Sequence, residues 1–312
     1  MLQQTPVATV TRYYNEWLRR FPSLAALARA GEREVLQAWE GLGYYARGQN
    51  LHRCAKRIIR DLGGKVPRAP VELRSLPGIG PYTANAIAVF AFDQSLPIVE
   101  TNTARVLSRV FNIRDRIDST RGRAELWNAS ARLVPARGAR SFQTAMMDLG
   151  VITCSSANPQ CRACPVQRYC RCTDPQSLPK KRKPPAKVAL TETHSFASRR
   201  GAVLLQRCQN RWTGMWMLPP TAGRTTVPIY TAKFPFTRHV VTLRVVRGRP
   251  IYVKDGQRWF PISRLTKTPI PSPHRRALEN LLGATQAAQT RPQPFNVIGM
   301  PTSGVVPEPN LG

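Results

Sequence analysis

The sequence predicts two folded units in tandem: an all-α unit over residues 1–153 and a small α+β unit over residues 191–284. Three observations predict it. Apolar residues recur at helical spacing through the first half, and β-branched runs bounded by turn residues replace them after residue 200. Between the two lie a cysteine cluster at 154–172 and a Pro/Lys-rich stretch at 173–190 that reads as an extended basic linker.

In the first unit Val35, Leu36 and Trp39 share a helical face, as do Leu51, Ala55, Ile58, Ile59 and Leu62, and Ala84 to Phe92 is nearly all apolar. Phe21-Pro22-Ser23, Ala30-Gly31, Gly63-Gly64 and Pro77-Gly78 punctuate these helices. In the second unit Gly201–Leu205, Val240–Val246 and Pro250–Val253 are expected strands, and Arg275–Leu282 one short helix. Residues 285–312, rich in Gln, Pro and Thr, are expected to be a disordered tail.

The chain of 312 residues carries 47 Lys+Arg against 17 Asp+Glu, a formal charge of +30. The excess is spread: residues 1–184 hold 29 basic and 13 acidic side chains, and residues 185–312 hold 18 and 4. Such a charge argues for a long polyanionic partner that both units contact. No stretch approaches the ~20 apolar residues of a membrane span. The opening MLQQTPVATV lacks the plan of a secretory signal. The expectation is a soluble cytoplasmic protein, nucleoid-associated, working as a monomer away from membranes. In a reducing compartment its seven cysteines are not a disulfide framework.

Four of those cysteines, Cys154, Cys161, Cys164 and Cys170, have the spacing C-x6-C-x2-C-x5-C. Four thiolates on one short loop suit a cubane iron–sulfur cluster or a tetrahedral zinc. Zinc sites usually use two C-x2-C pairs, and only one is present here. Cys54, Cys172 and Cys208 fall outside the spacing. Arg162, Arg168 and Arg171 flank the ligands and could meet phosphate.

The turn Leu76-Pro77-Gly78-Ile79-Gly80 joins two helices. Gly78 and Gly80 bring the backbone close to a ligand, and the next helix offers free N–H groups and the positive end of its dipole. That is a phosphate clamp without base readout. In Leu96-Pro-Ile-Val-Glu-Thr-Asn, Glu100 ends an apolar strip and Thr101 is expected to cap the following helix. A carboxylate there could stabilise an oxocarbenium-like sugar during glycosidic cleavage.

Several segments carry a resemblance. Gly41-Leu-Gly-Tyr-Tyr-Ala-Arg with Asn50-Leu-His, Met1-Leu-Gln-Gln-Thr, and Gln143-Thr-Ala-Met-Met-Asp-Leu-Gly closely resemble the MutY family of adenine DNA glycosylases in the endonuclease III superfamily. The resemblance is strong over residues 1–180 and weak over 187–283. It implies a helix–hairpin–helix glycosylase domain with a [4Fe-4S] cluster loop, then a small α+β Nudix-like domain. It also implies excision of adenine mispaired with 8-oxoguanine or guanine in double-stranded DNA. Gln4 and Tyr44 match residues that wedge into the duplex, and Thr5 lies in the same DNA-binding motif. Base flipping costs a few kcal/mol, which an inserted side chain offsets. Tyr82 stands where bifunctional relatives carry the Schiff-base lysine, which implies monofunctional excision.

Glu100 and Asn102 match the family's catalytic pair, but the family carries Asp at the first position. The extra methylene moves the carboxylate by roughly 1.5 Å, and a misplacement of that order can cost about a hundredfold in rate. The family's general acid is a Glu two residues before the Met of the MLQQT motif, so it and a first helix are expected upstream of Met1. Glu16, on the other side of the motif, does not replace it. The chain as written is therefore expected to be a weak enzyme, or a lesion-binding protein. An endonuclease III-like or thymine-mismatch glycosylase is the other reading. In the second unit the family's Phe-Ser-His segment corresponds to Phe236-Thr237-Arg238, with His239 next, and implies oxidised-guanine recognition. Between Arg199 and Gly283 the acidic residues are Asp255 and Glu279, too few for magnesium-dependent pyrophosphate hydrolysis.

Overall fold

The computed structural model describes residues 1–2, 5, 7–222, 227–250 and 252–289. Among them, every regular element before Val188 is helical. The helices are α1 Val7–Arg20, α2 Leu24–Arg29, α3 Glu32–Ala38, α4 Tyr45–Asp61, α5 Pro70–Arg74, α6 Pro81–Phe92, α7 Thr101–Val110, α8 Thr120–Leu133 and α9 Ala139–Asp148. Ser23 and Ser119 stop the preceding loops by accepting the N–H of Ala26 and Gly122, which sets the starts of α2 and α8. One core gathers Val10, Trp17, Phe21, Leu36 and Trp39 from α1 to α3. A second, under the Leu76–Gly80 turn, gathers Ile58, Leu73, Leu76, Ala84 and Ala88. A single π-turn, Leu149–Thr153, then delivers Cys154.

The linker is pinned at its start. Ile117 donates to the Lys180 carbonyl at 3.0 Å, and the Arg182 N–H donates to Asp118 at 3.1 Å. The second unit begins earlier than its composition suggests, because Val188–Phe196 is already strand β1. It is followed by β2 Ser198–Arg199, β3 Ala202–Arg207, β4 Trp216–Met217, β5 Tyr230–Phe236, β6 His239–Arg247, β7 Gln257–Pro261 and helix α10 Ser272–Gln289. One sheet has the order β1-β6-β5, with β1 parallel to β6. The other has β3 between β2 and β4 and also paired to β7. Leu205, Leu218, Val241, Leu243, Ile270 and Leu278 fill the core.

Three expectations change here. The described part of Pro250–Val253 is loop, and the strand is Gln257–Pro261, where Phe260 packs inward. The helix expected at Arg275–Leu282 starts at Ser272 and runs to Gln289, past the expected start of the tail. Residues 290–312 lie outside the described residues. β1 lacks a local apolar signal because its first half is exposed and it holds an edge through parallel pairing with a distant strand.

The two units share a boundary. Cys208 and Met215 enter the core of α1–α3. Arg275 clasps Glu40 through Nε–Oε1 at 2.5 Å and Nη2–Oε2 at 2.9 Å. Arg33 donates to the Lys267 carbonyl at 2.9 Å, and Gln49 to that of Thr213 at 2.9 Å.

Candidate active site

Tyr44 and Tyr45 are adjacent in sequence and opposite in environment. Tyr45 is 7% exposed and packs in the core, whereas Tyr44 is 58% exposed. Tyr44 is the N-cap of α4 with φ 47°, a left-handed conformation that a bulky residue adopts only under constraint from its surroundings. A core role is thus Tyr45's alone. Tyr44 stands at the rim of a cavity of ≈ 600 Å³ whose walls include Tyr82, Glu100, Asn102 and Arg47, with Leu2 at the edge. That volume suits a small-molecule moiety such as an extruded nucleotide. Tyr44, Tyr82, Glu100 and Asn102, singled out on three separate segments, meet here. Leu2 and Arg47, which the sequence does not mark as site residues, join them. Arg47 comes from the first turn of α4 and Leu2 from the N-terminal segment, where the Thr5 N–H donates to the Leu2 carbonyl at 3.5 Å, and no local pattern reports their meeting. Gln4 lies outside the described residues.

Glu100, not Thr101, caps α7. Its Oε1 accepts the N–H of Asn102 at 2.8 Å and of Thr103 at 2.9 Å, while Thr103 Oγ1 accepts the Glu100 N–H at 2.8 Å. The backbone leaves extended geometry at Glu100 itself, so the residue one earlier than expected occupies the capping position. The cap fixes the carboxylate at the positive end of the helix dipole, on the cavity wall. Burial first, and then the Glu100 charge, raise the Tyr82 phenol above its ordinary pKa, which keeps it a neutral donor. Asn102 is held through Oδ1 by Arg105 Nη2 at 3.0 Å. Arg105 Nε reaches the Cys154 carbonyl at 2.7 Å. One helix therefore ties the cavity to the cysteine loop.

Beside the cavity, Gly78 has φ 77°, and a Cβ there would lie 2.5 Å from Asn50 Nδ2, so both conformation and space require glycine. Gly80 is extended, with φ −90°, and caps α6 without a side chain; Pro81 follows at the first helical position. The first-turn amides of α6 are thereby left to an anion.

The four cysteines ring a second cavity of ≈ 280 Å³, with Arg109 and Cys172 also on its wall. Arg109 is 3% exposed and sets Nη1 3.3 Å from Cys154 Sγ. Among the described residues no three His, Cys, Asp or Glu converge on a single ion. A tetrahedral zinc would need all four sulfurs within about 2.3 Å of one point. A cubane takes each thiolate on a different iron, so its ligands surround a volume. The donor set and the cavity fit the latter. Cys54 and Cys208 are buried elsewhere, and burial pushes the Cys208 thiol up to about 12.

Thr237 and Arg238 form the exposed tip of the β5–β6 hairpin, closed by the Phe236–His239 pair, with Thr237 at φ 51°. None of Thr237, Arg238 and His239 lines the Glu100 cavity.

Residues 1–131 match the family pattern of the HhH-GPD superfamily base excision DNA repair proteins. A solved thermostable thymine-DNA glycosylase aligns with a TM-score of 0.50 and 27% identity, over 55% of this chain and 78% of that one. The sequence is also similar to adenine DNA glycosylases. The mouse protein is 46% identical over 172 residues, and that of Mycolicibacterium smegmatis is 44% identical over 172 residues. These alignments cover 55% of this chain but 33% and 57% of the two relatives, so the chain spans only part, less than two thirds, of the length of either.

Proposed function

We propose that the protein is a monofunctional glycosylase that removes adenine mispaired with 8-oxoguanine or guanine in duplex DNA. The observation that carries this is the single cavity lined by Tyr44, Tyr82, Glu100 and Asn102, beside the uncapped amides of α6. An adenine turned into the cavity would leave as the C1′–N9 bond breaks, its electron pair passing to the base. The Glu100 carboxylate would stabilise the resulting sugar cation until water adds to C1′ and gives up a proton, while the departing adenine takes one up from solvent. Among the described residues that line the cavity there is no lysine to supply an amine for a Schiff base.

Cys154, Cys161, Cys164 and Cys170 are the ligands we assign to a [4Fe-4S] cluster. When bound, it would pin the loop that Arg105 and Arg109 join to α7. The second unit, with its two sheets and one long helix, is assigned as a Nudix-like reader of oxidised guanine, using Thr237, Arg238 and His239 at the exposed hairpin tip. The expected setting is the nucleoid, with the protein acting as a monomer.

The capping bonds on Glu100 favour one alternative, a lesion-binding protein with little excision. Single-turnover cleavage of 8-oxoguanine:adenine duplex, with alkali to reveal abasic sites, separates the two. It should be run on this chain and on an upstream-extended form, with a guanine:thymine duplex as control. Adenine release by either form supports the glycosylase. Tight lesion binding with no release by either supports the alternative, and thymine release would reassign the substrate.

A further inference from the structure

The cavity ringed by Cys154, Cys161, Cys164 and Cys170 has a fifth thiol on its wall, that of Cys172. Four thiolates complete the ligand set of a cubane, so Cys172 is surplus to it. Cys54 and Cys208 are buried in cores away from this cavity. Among the described residues Cys172 is therefore the one further cysteine within reach of the ligands. Its place follows from the backbone. Cys170 is extended, with φ −78° and ψ 123°, and alternate side chains of an extended chain share a face. Cys170 and Cys172 both line the cavity, while Arg171 between them is exposed and held by its N–H to the Val110 carbonyl at 3.0 Å. Two residues of extended chain span at most about 7 Å, the upper end of the Cα separation that a disulfide bridges. Both side chains are only half-buried, which leaves them open to a small oxidant.

We propose that Cys172 is an oxidation site that protects the ligand Cys170 when iron is lost. The proposal rests on the [4Fe-4S] assignment above. Hydrogen peroxide is the oxidant: it transfers one oxygen to the Cys170 sulfur, giving a sulfenic acid and a water. The Cys172 thiol then attacks that sulfur, forms the S–S bond and releases the oxygen as a second water. The disulfide stops Cys170 short of sulfinic acid, which thiol reductants do not reverse. A dithiol returns both cysteines to thiols, becoming a disulfide itself, and the four ligands are whole again. Protein that acts opposite 8-oxoguanine works where guanine is being oxidised, and its thiols meet the same oxidants.

The test uses the full chain loaded with iron and sulfide, followed by its visible absorbance and by peptide mass mapping. Hydrogen peroxide is added until the absorbance is lost. In wild type the tryptic fragments 169–171 and 172–180, separated by cleavage after Arg171, should then be joined and two hydrogens lighter. Dithiothreitol with fresh iron and sulfide should restore the absorbance. C172S should load as wild type does. After peroxide it should carry sulfinic or sulfonic acid at Cys170 and recover only roughly a third of the wild-type absorbance. C172A should behave in the same way. Wild type in which Cys170 is over-oxidised, or joined to any cysteine but Cys172, overturns the proposal. So does C172S that recovers as fully as wild type. If neither variant loads, the wild-type peptide map decides alone. A wild-type chain that takes up no iron before peroxide overturns the cluster assignment and the proposal with it. A loaded chain that forms no 170–172 disulfide overturns the proposal only.

Discussion

Glu100 and Thr103 cap one another: each side chain accepts the other's backbone N–H, at 2.9 and 2.8 Å. The residue proposed to stabilise the sugar cation is thus also the one that starts α7. The two roles separate by substitution. E100Q keeps an oxygen for the cap and loses the charge, so it should cost no more than about 1 kcal/mol of stability while lowering single-turnover excision about a hundredfold or more. T103V removes the reciprocal bond together with the hydroxyl's long contacts to the Ile98 and Glu100 carbonyls, at 3.4 and 3.3 Å, and should cost about 1 kcal/mol in denaturant unfolding. Equal rates for E100Q and wild type would remove Glu100 from the chemistry.

Iron content tests the cysteine assignment. Serine at Cys154, Cys161, Cys164 or Cys170 should each abolish bound iron and the visible absorbance of the purified protein. C172S should retain both, although Cys172 shares the cavity wall. Zinc without iron in the wild-type protein would overturn the cluster.

His274 is fully buried against His194 and Trp212, and among the described residues neither ring nitrogen has a hydrogen-bond partner. Burial above all, then the His194 and Arg211 charges, holds its pKa well below 6.5. The unfolded chain, with an ordinary histidine, binds a proton that the folded chain refuses. Stability should therefore fall as pH drops below about 6.5. H274F should flatten that fall and keep or raise stability at neutral pH, since it removes unsatisfied polar atoms from the core. Thermal unfolding between pH 5 and 8 reads both; an unaltered slope in H274F would assign the acid sensitivity elsewhere.

The Glu40–Arg275 pair fastens the two units, with side chains 17% and 18% exposed. Removing either partner alone strands a largely buried charge, and E40A or R275A should each cost about 3 kcal/mol. Replacing both with apolar residues, E40L with R275M, should recover most of that loss. Limited proteolysis of the 183–187 stretch should quicken in the single variants. Additive losses in the double variant would show that the pair does not act as a unit.

The sequence by itself determined the helical first half, the cysteine spacing, the tight Pro-Gly turn and the basic character of both units. Each is written in local periodicity, in fixed spacing or in composition, and survives without knowledge of distant contacts. Tertiary structure decided the rest. Tyr44 and Tyr45 are indistinguishable as a dipeptide, and only the core around Trp39 sends one inward and leaves the other exposed. Glu100 became the cap because the chain turns at that residue, one position before the threonine that composition favours. β1 formed through parallel pairing with a strand about fifty residues later, an interaction whose loop-closure cost is repaid only when the whole sheet assembles. The meeting of Arg47 and Leu2 with the catalytic candidates likewise needed α1, α4, α6 and α7 in place, because side chains far apart in sequence share a cavity only after packing brings their helices together.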